Sequence, residues 1–137
     1  MELTMASLLI TSLSALILGT LYLGLIVQVI LMRRDRCIGF GDGQDKQMRG
    51  ALRAQVNAGE QIPIFLILLG LVETQGLPGL WLGLMALTFF IGRLLHGYGM
   101  SHLVHRLRII GTALNLSAFL LILLSLLYGL VFEVGAS

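Results

Sequence analysis

The chain has 137 residues, of which 57% are hydrophobic and 12% charged, where a soluble domain averages about 25% charged. That composition excludes an ordinary water-soluble domain and points to an all-α integral membrane protein. The length allows one domain over residues 1–137, and four spans of about 20 residues would use most of it. A net charge of +2, with no basic stripe interleaved with aromatics, gives no support for nucleic acid, and the single cysteine, Cys37, excludes an internal disulfide. His96, His102 and His105 form no HExxH pattern, so no metal site is expected.

The first predicted span covers about 4–32. Glu2 replaces the basic start of a signal peptide and the apolar run is too long for one, so a membrane helix is the better reading. Arg33, Arg34 and Arg36 stop it. The following RRDRCIGFGDGQDK reads as a tight loop, because Gly39, Gly41 and Gly43 fall within five positions. No strand precedes it and no lysine-threonine pair follows, so it is a poor phosphate cradle. Cys37 is expected to be a spectator thiol in that loop.

Span two covers about 47–72, polar in its first half, with Pro63 inside it and a kink expected there. ETQGLP, residues 73–78, reads as a turn. Span three covers about 79–98, its GLWLG placing Gly79 and Gly83 at close-packing spacing. Residues 97–106 read as a second polar loop, and span four covers about 107–132. All nine Lys and Arg lie at 33–53 and 93–108, whereas Glu2, Glu73 and Glu133 mark the other ends. The positive-inside rule therefore places the basic loops in the cytoplasm and both termini outside, periplasmic in a bacterium.

The stretch RAQVNAGEQIP sets five hydrogen-bonding side chains at the front of a greasy helix. A helix advances about 100° per residue, so with Arg49 at 0°, Arg53 falls at about 40°, Asn57 at about 80° and Glu60 at about 20°. These four make one stripe, and Gln55, at about 240°, faces elsewhere. Arg53 and Glu60 could pair as structural glue between helices, but intramembrane ionisable groups are functional candidates by default. Arg33 and Arg34 end span one at the same depth. Arg106 and Arg108 begin span four, and Arg93 and His96 lie one turn apart on span three, with Met100 one turn further. One internal acid cannot neutralise so many arginines. An anionic guest with more than one carboxylate would, and Glu60 could take its cation.

RAQVNAGEQIP, VQVILMRR, GRLLHGYGMSH and the Arg106-Leu107-Arg108 start of span four, in that order along almost the whole chain, resemble the MAPEG family, the membrane-associated proteins of eicosanoid and glutathione metabolism. The GFGDG loop is most similar to its small bacterial inner-membrane branch. The resemblance implies a homotrimer of four-helix bundles with glutathione at each subunit interface, near the cytoplasmic side. Arg53, Asn57 and Glu60 would bind it from one subunit, Glu60 taking the amino group, with Gln55 and Arg33 contributed by the neighbour. Arg49, Gln61, Arg93 and His96 are further candidate contacts; His96 stands where relatives have His or Tyr. Arg108 or Arg106 would hold the thiolate, and Arg34 is a candidate at the second substrate. Gln61 stands where many relatives have Tyr and Met100 where eicosanoid-forming members have Tyr, which argues against a dedicated eicosanoid synthase. The implied activity is transfer of the glutathione thiolate to a hydrophobic electrophile in the membrane lipid, extending to peroxidase action on a lipid hydroperoxide. The alternatives are a non-catalytic lipid- or glutathione-binding protein and a small four-span multidrug exporter.

Overall fold

A computed structural model of the chain describes residues 8–134. Four helices run in order: α1 (Leu9–Asp35), α2 (Lys46–Thr74), α3 (Gly79–Ser101) and α4 (His105–Val134). All four are long and apolar enough to cross a membrane, and there is no strand among the described residues. The chain is thus an all-α membrane four-helix bundle. Glu2 and the first residues of the expected first span, 4–7, lie outside the described residues, as does the side chain of Glu133.

The helices outrun their predicted bounds at the basic ends. α1 continues through Arg33 and Arg34 to Asp35, and α3 takes in Gly97 through Ser101, which had read as loop. The second polar connection shrinks to His102–Val104, so Arg106 and Arg108 are already helical. The physical reason is packing: Gly99 and Gly111 let α3 and α4 stay in contact to their ends. α2 begins where Asp45 caps it, its carboxylate accepting from Gln47 N at 2.8 Å and Met48 N at 3.0 Å. It then runs without a break through Pro63 to Thr74.

α3 packs most extensively on α4, α1 packs on α2, and α2 joins the two pairs through α3. Ala54, Ala58, Ile62, Phe65, Leu69 and Val72 are buried, and all fall within about 40° of the direction opposite Arg49. α2 therefore turns its alanine-rich face to the core and its charged stripe outward. At the centre, Phe65 of α2 stacks on Phe89 of α3 at 3.9 Å between centroids, and Phe119 of α4 meets both edge-on at 5.7 and 5.5 Å. The GLWLG glycines do not close-pack: a Cβ at Gly79 or Gly83 would meet nothing within 4 Å. Close approach occurs instead near the basic end. Gly50 lies against the Met100 carbonyl, Gly99 against Arg108 N and Gly111 against the backbone of Gly92 and His96. Tyr22 of α1 packs on Gly59, where a Cβ would lie 2.9 Å from the phenol oxygen.

Glu73, read from sequence as a charge in a turn, is in the last turn of α2 and caps α1. Its carboxylate accepts from Ile10 N at 2.9 Å, Thr11 N at 2.8 Å and Thr11 Oγ1 at 2.6 Å. These N–H groups have no partner within their own helix, and a carboxylate there also meets the positive end of the helix dipole. Glu73→Ala is expected to cost about 1–2 kcal/mol, the range of a lost N-cap. The readout is the unfolding midpoint in detergent, with Glu73→Gln, which keeps one acceptor, falling between.

Candidate functional site

α2 and α4 are splayed across α3 on one flank of the bundle, leaving a groove between them. Its outer part, about 330 Å³, is lined by Lys46, Arg49 and Arg53 of α2, Gly99 and Met100 of α3, and His105 and Arg108 of α4, among others. Its inner part, about 620 Å³, is lined by Arg53, Asn57, His96, Met100 and Arg108, and then by Ile109, Thr112, Ala113 and Leu116 down α4. Arg53, Met100 and Arg108 belong to both parts, so the two adjoin. The glycine contacts make this possible. Gly50 and Gly99 bring the three backbones together, and the long basic side chains then stand over a floor made by Met100 and His96.

No carboxylate lines either part of the groove. Among the described residues, ion pairs join only Arg34 to Asp35, Arg36 to Asp45 and Arg49 to Asp42. Arg53 and Glu60 make no ion pair or side-chain hydrogen bond, so the glue expected between them is absent within the subunit. Both are exposed on the outward face of α2. Arg108 donates to His105 Nδ1 at 2.7 Å, which fixes the imidazole proton on Nε2 if His105 is neutral.

Arg49 is claimed by the first loop: its Nε donates to Asp42 Oδ2 at 2.6 Å. That bond, before all other causes, holds the Asp42 carboxyl below the ordinary aspartate range, and the backbone N–H of Gln44 adds to it. Asp45 is lowered as well, first by its bond from Met48 N.

Of the residues singled out from sequence, Arg49, Arg53, Asn57, His96 and Arg108 line the groove. Arg106 is exposed and lines neither part. Arg33 is held in its own loop, donating to the Gly41 carbonyl at 3.0 Å, and Arg34 is exposed beside Asp35. Gln55 and Gln61 are half-buried away from the groove, and Gln55 lies on the flank of α2 that Tyr22 and Gly59 mark as facing α1. Arg93 is 3% exposed, its guanidinium 5.6 Å from the Phe89 ring centroid, and its Nε and Nη1 have no partner. Asn115, equally buried, also lacks partners on both amide atoms and lies against Gly92. Lys46, His105 and Thr112 are lining residues that the sequence reading passed over. Thr112 and Asn115 carried a signal as polar residues inside a greasy span.

A bundle of four apolar helices carrying the ordered motifs fits the family they resemble, and comparison with known proteins shows that family. The MAPEG family matches residues 9–128. The chain belongs to that family. It is also 31% identical over 124 residues to Inner membrane protein YecN of Escherichia coli, in strain K12 and in strain O6:H1, covering 90% of this chain and 95% of the relative. As a MAPEG protein with four apolar spans and an inner-membrane relative, the chain is an integral, multi-pass inner-membrane protein.

Proposed function

We propose that this MAPEG protein is a glutathione transferase whose glutathione site is built on the α2–α4 groove. The observation that carries the reading is the groove's charge: Arg53, Arg108, Lys46 and Arg49 line it with two histidines, and no acid does. A binding site with unopposed guanidinium groups inside a membrane bundle needs an anionic guest. Glutathione brings two carboxylates, one ammonium and one thiol. Arg53 and Lys46 would take carboxylates and Asn57 an amide or carboxylate. Arg49, already paired with Asp42, is the weaker candidate. Glu60, two turns from Arg53 on the same outward face, would take the ammonium.

Glu60, Gln55 and Arg33 lie outside the groove lining; in this reading Glu60 acts with Arg53 from one subunit, and Gln55 and Arg33 come from a neighbouring subunit of a homotrimer. Native mass spectrometry in mild detergent is expected to give three subunits. A stable monomer that still binds glutathione would remove the interface from this reading. The basic end that holds the groove mouth is taken as cytoplasmic, with both termini periplasmic.

The reactive species is the thiolate, and an ordinary thiol has a pKa near 8.5. A guanidinium beside the sulfur stabilises the charged form, by roughly 1–3 pKa units for a close opposite charge. Arg108 is favoured over Arg106 for this role because it lines both parts of the groove. The apolar wall of Ile109, Ala113 and Leu116 begins beside it and would receive a greasy electrophile or lipid hydroperoxide from the bilayer.

The deciding experiment is calorimetry of glutathione with the detergent-purified protein, followed by Arg108→Ala. That variant should keep much of the binding, show weaker thiolate absorbance in the ultraviolet, and move its rate optimum to higher pH. No heat with the wild type would end the proposal. Binding without turnover on any electrophile would leave a glutathione-binding protein that is not an enzyme.

A further inference from the structure

Phe40 is 95% exposed, the most exposed of the large apolar side chains among the described residues. It stands between Gly39 and Gly41 at the tip of the loop joining α1 to α2. This is not a slack loop. Arg33, in the last turn of α1, donates to the carbonyls of Gly41 at 3.0 Å and Ile38 at 3.5 Å. Arg36 pairs with Asp45 at the start of α2, and Arg49, one turn further on, pairs with Asp42. Gly41 and Gly43, with φ of +66° and +59°, take the left-handed backbone that the turn requires. The loop's other large apolar side chain, Ile38, turns inward and packs with Val29, Met48 and Ala51. The same fold that buries Ile38 therefore holds the Phe40 ring out.

The level of that ring follows from the Arg33 bond. Because the Gly41 carbonyl is tied to a residue inside α1, the loop folds back toward the helix end. Phe40 is thus held beside the ends of α1 and α2, where Arg33, Arg34, Arg36 and Lys46 mark the basic margin of two helices apolar enough to cross a bilayer. Basic side chains at such a margin are drawn to anionic headgroups, and the Phe side chains of interfacial segments bury at the headgroup–acyl boundary. One ring flanked by glycines offers too little area for a stable protein interface, which buries about 800 Å² per partner. It does suffice as a wedge between lipids.

We infer that the α1–α2 loop is an interfacial anchor: Phe40 inserts at the headgroup–acyl boundary of the leaflet beside Arg33, Arg34 and Arg36, and the partner of this surface is lipid. The loop carries Asp42 and Asp45, which hold Arg49 and cap α2, so the anchor sets the depth of the groove's mouth. The inference does not depend on glutathione.

The test uses the full chain reconstituted in phosphatidylcholine–phosphatidylglycerol vesicles. Trp81 is the only tryptophan, so Phe40→Trp in a Trp81→Phe background reports on position 40 alone. Its emission should be blue-shifted and quenched severalfold more by lipids brominated high on the acyl chain than by aqueous acrylamide. Efficient acrylamide quenching with no effect of brominated lipid would overturn the anchor. Protection from both quenchers would also overturn it, since the ring would then be covered by protein. A nitroxide at Phe40→Cys in a Cys37→Ser background gives an independent depth. Oxygen should broaden its spectrum more than a water-soluble nickel chelate does; the reverse order would contradict insertion.

Discussion

Arg53→Ala and Glu60→Ala are each expected to weaken glutathione binding by one to several orders of magnitude. Arg53 lines both parts of the groove and has no partner among the described residues to occupy it when the guest is absent. Truncating one partner of a desolvated charge pair costs roughly 2–5 kcal/mol, much of it from the charge left unpaired, and about 1.4 kcal/mol is tenfold in affinity. Arg49→Ala should cost distinctly less, because Asp42 already neutralises Arg49 in the free protein and competes with the guest for it. Calorimetry on the three variants gives the ranking. If Arg53→Ala and Glu60→Ala bind as the wild type does while remaining folded, the stripe is structural and the transferase reading falls with it. If Arg49→Ala matches Arg53→Ala, then the Asp42 pair opens on binding and Arg49 is a full ligand.

The α2 stripe was legible because it needs only the helical period. Counting 100° steps separates Arg53 and Asn57 from Gln55, and the buried alanine face opposite Arg49 confirms the phase. What the period cannot supply is the phase of one helix against another. Arg106 and Arg108 could not be told apart until α4 was seen to start at His105 and Gly111 to set its register on α3. The GLWLG spacing suggested close packing at Gly79 and Gly83, yet the bundle is open there. Spacing alone does not say whether a neighbouring backbone is present, and the glycines that meet one are Gly50, Gly92, Gly99 and Gly111. Loop contacts were the least legible. That Asp42 would turn back to hold Arg49, that Glu73 would cap α1, and that Arg33 would hold its own loop depend on turns whose geometry is settled by several distant partners at once. His105 gives no signal of its own in the sequence; only the helical start of α4 brings it beside Arg108.

Gly111→Ala should be strongly disruptive for the addition of a single methyl. In a lipid environment the bundle gains little from hiding apolar surface, since lipid tails are as apolar as leucine, so close packing carries much of helix association. Gly111 sits directly on an α3 hydrogen-bonded turn: an added Cβ would lie 2.7 Å from the Gly92 carbonyl oxygen and 2.8 Å from His96 Cα, and in contact with His96 N. These are backbone atoms, which cannot swing aside as a side-chain tip can. α4 must move off α3, and with it goes the groove, because His96 is its floor and Arg108 lies three residues before Gly111 on its wall. Overpacking of this kind costs about 1–3 kcal/mol, set against the gain of about 1 kcal/mol that alanine ordinarily brings to a helix interior. Gly24→Ala in α1 is the matched control, since a Cβ there meets nothing within 4 Å and only the propensity gain remains. Unfolding midpoints in detergent should therefore fall for Gly111→Ala and hold or rise for Gly24→Ala, and glutathione affinity should fall only in the first. Equal stability of the two variants would mean that α3 and α4 are not in backbone contact, and the register that places Arg108 beside His96 would have to be abandoned.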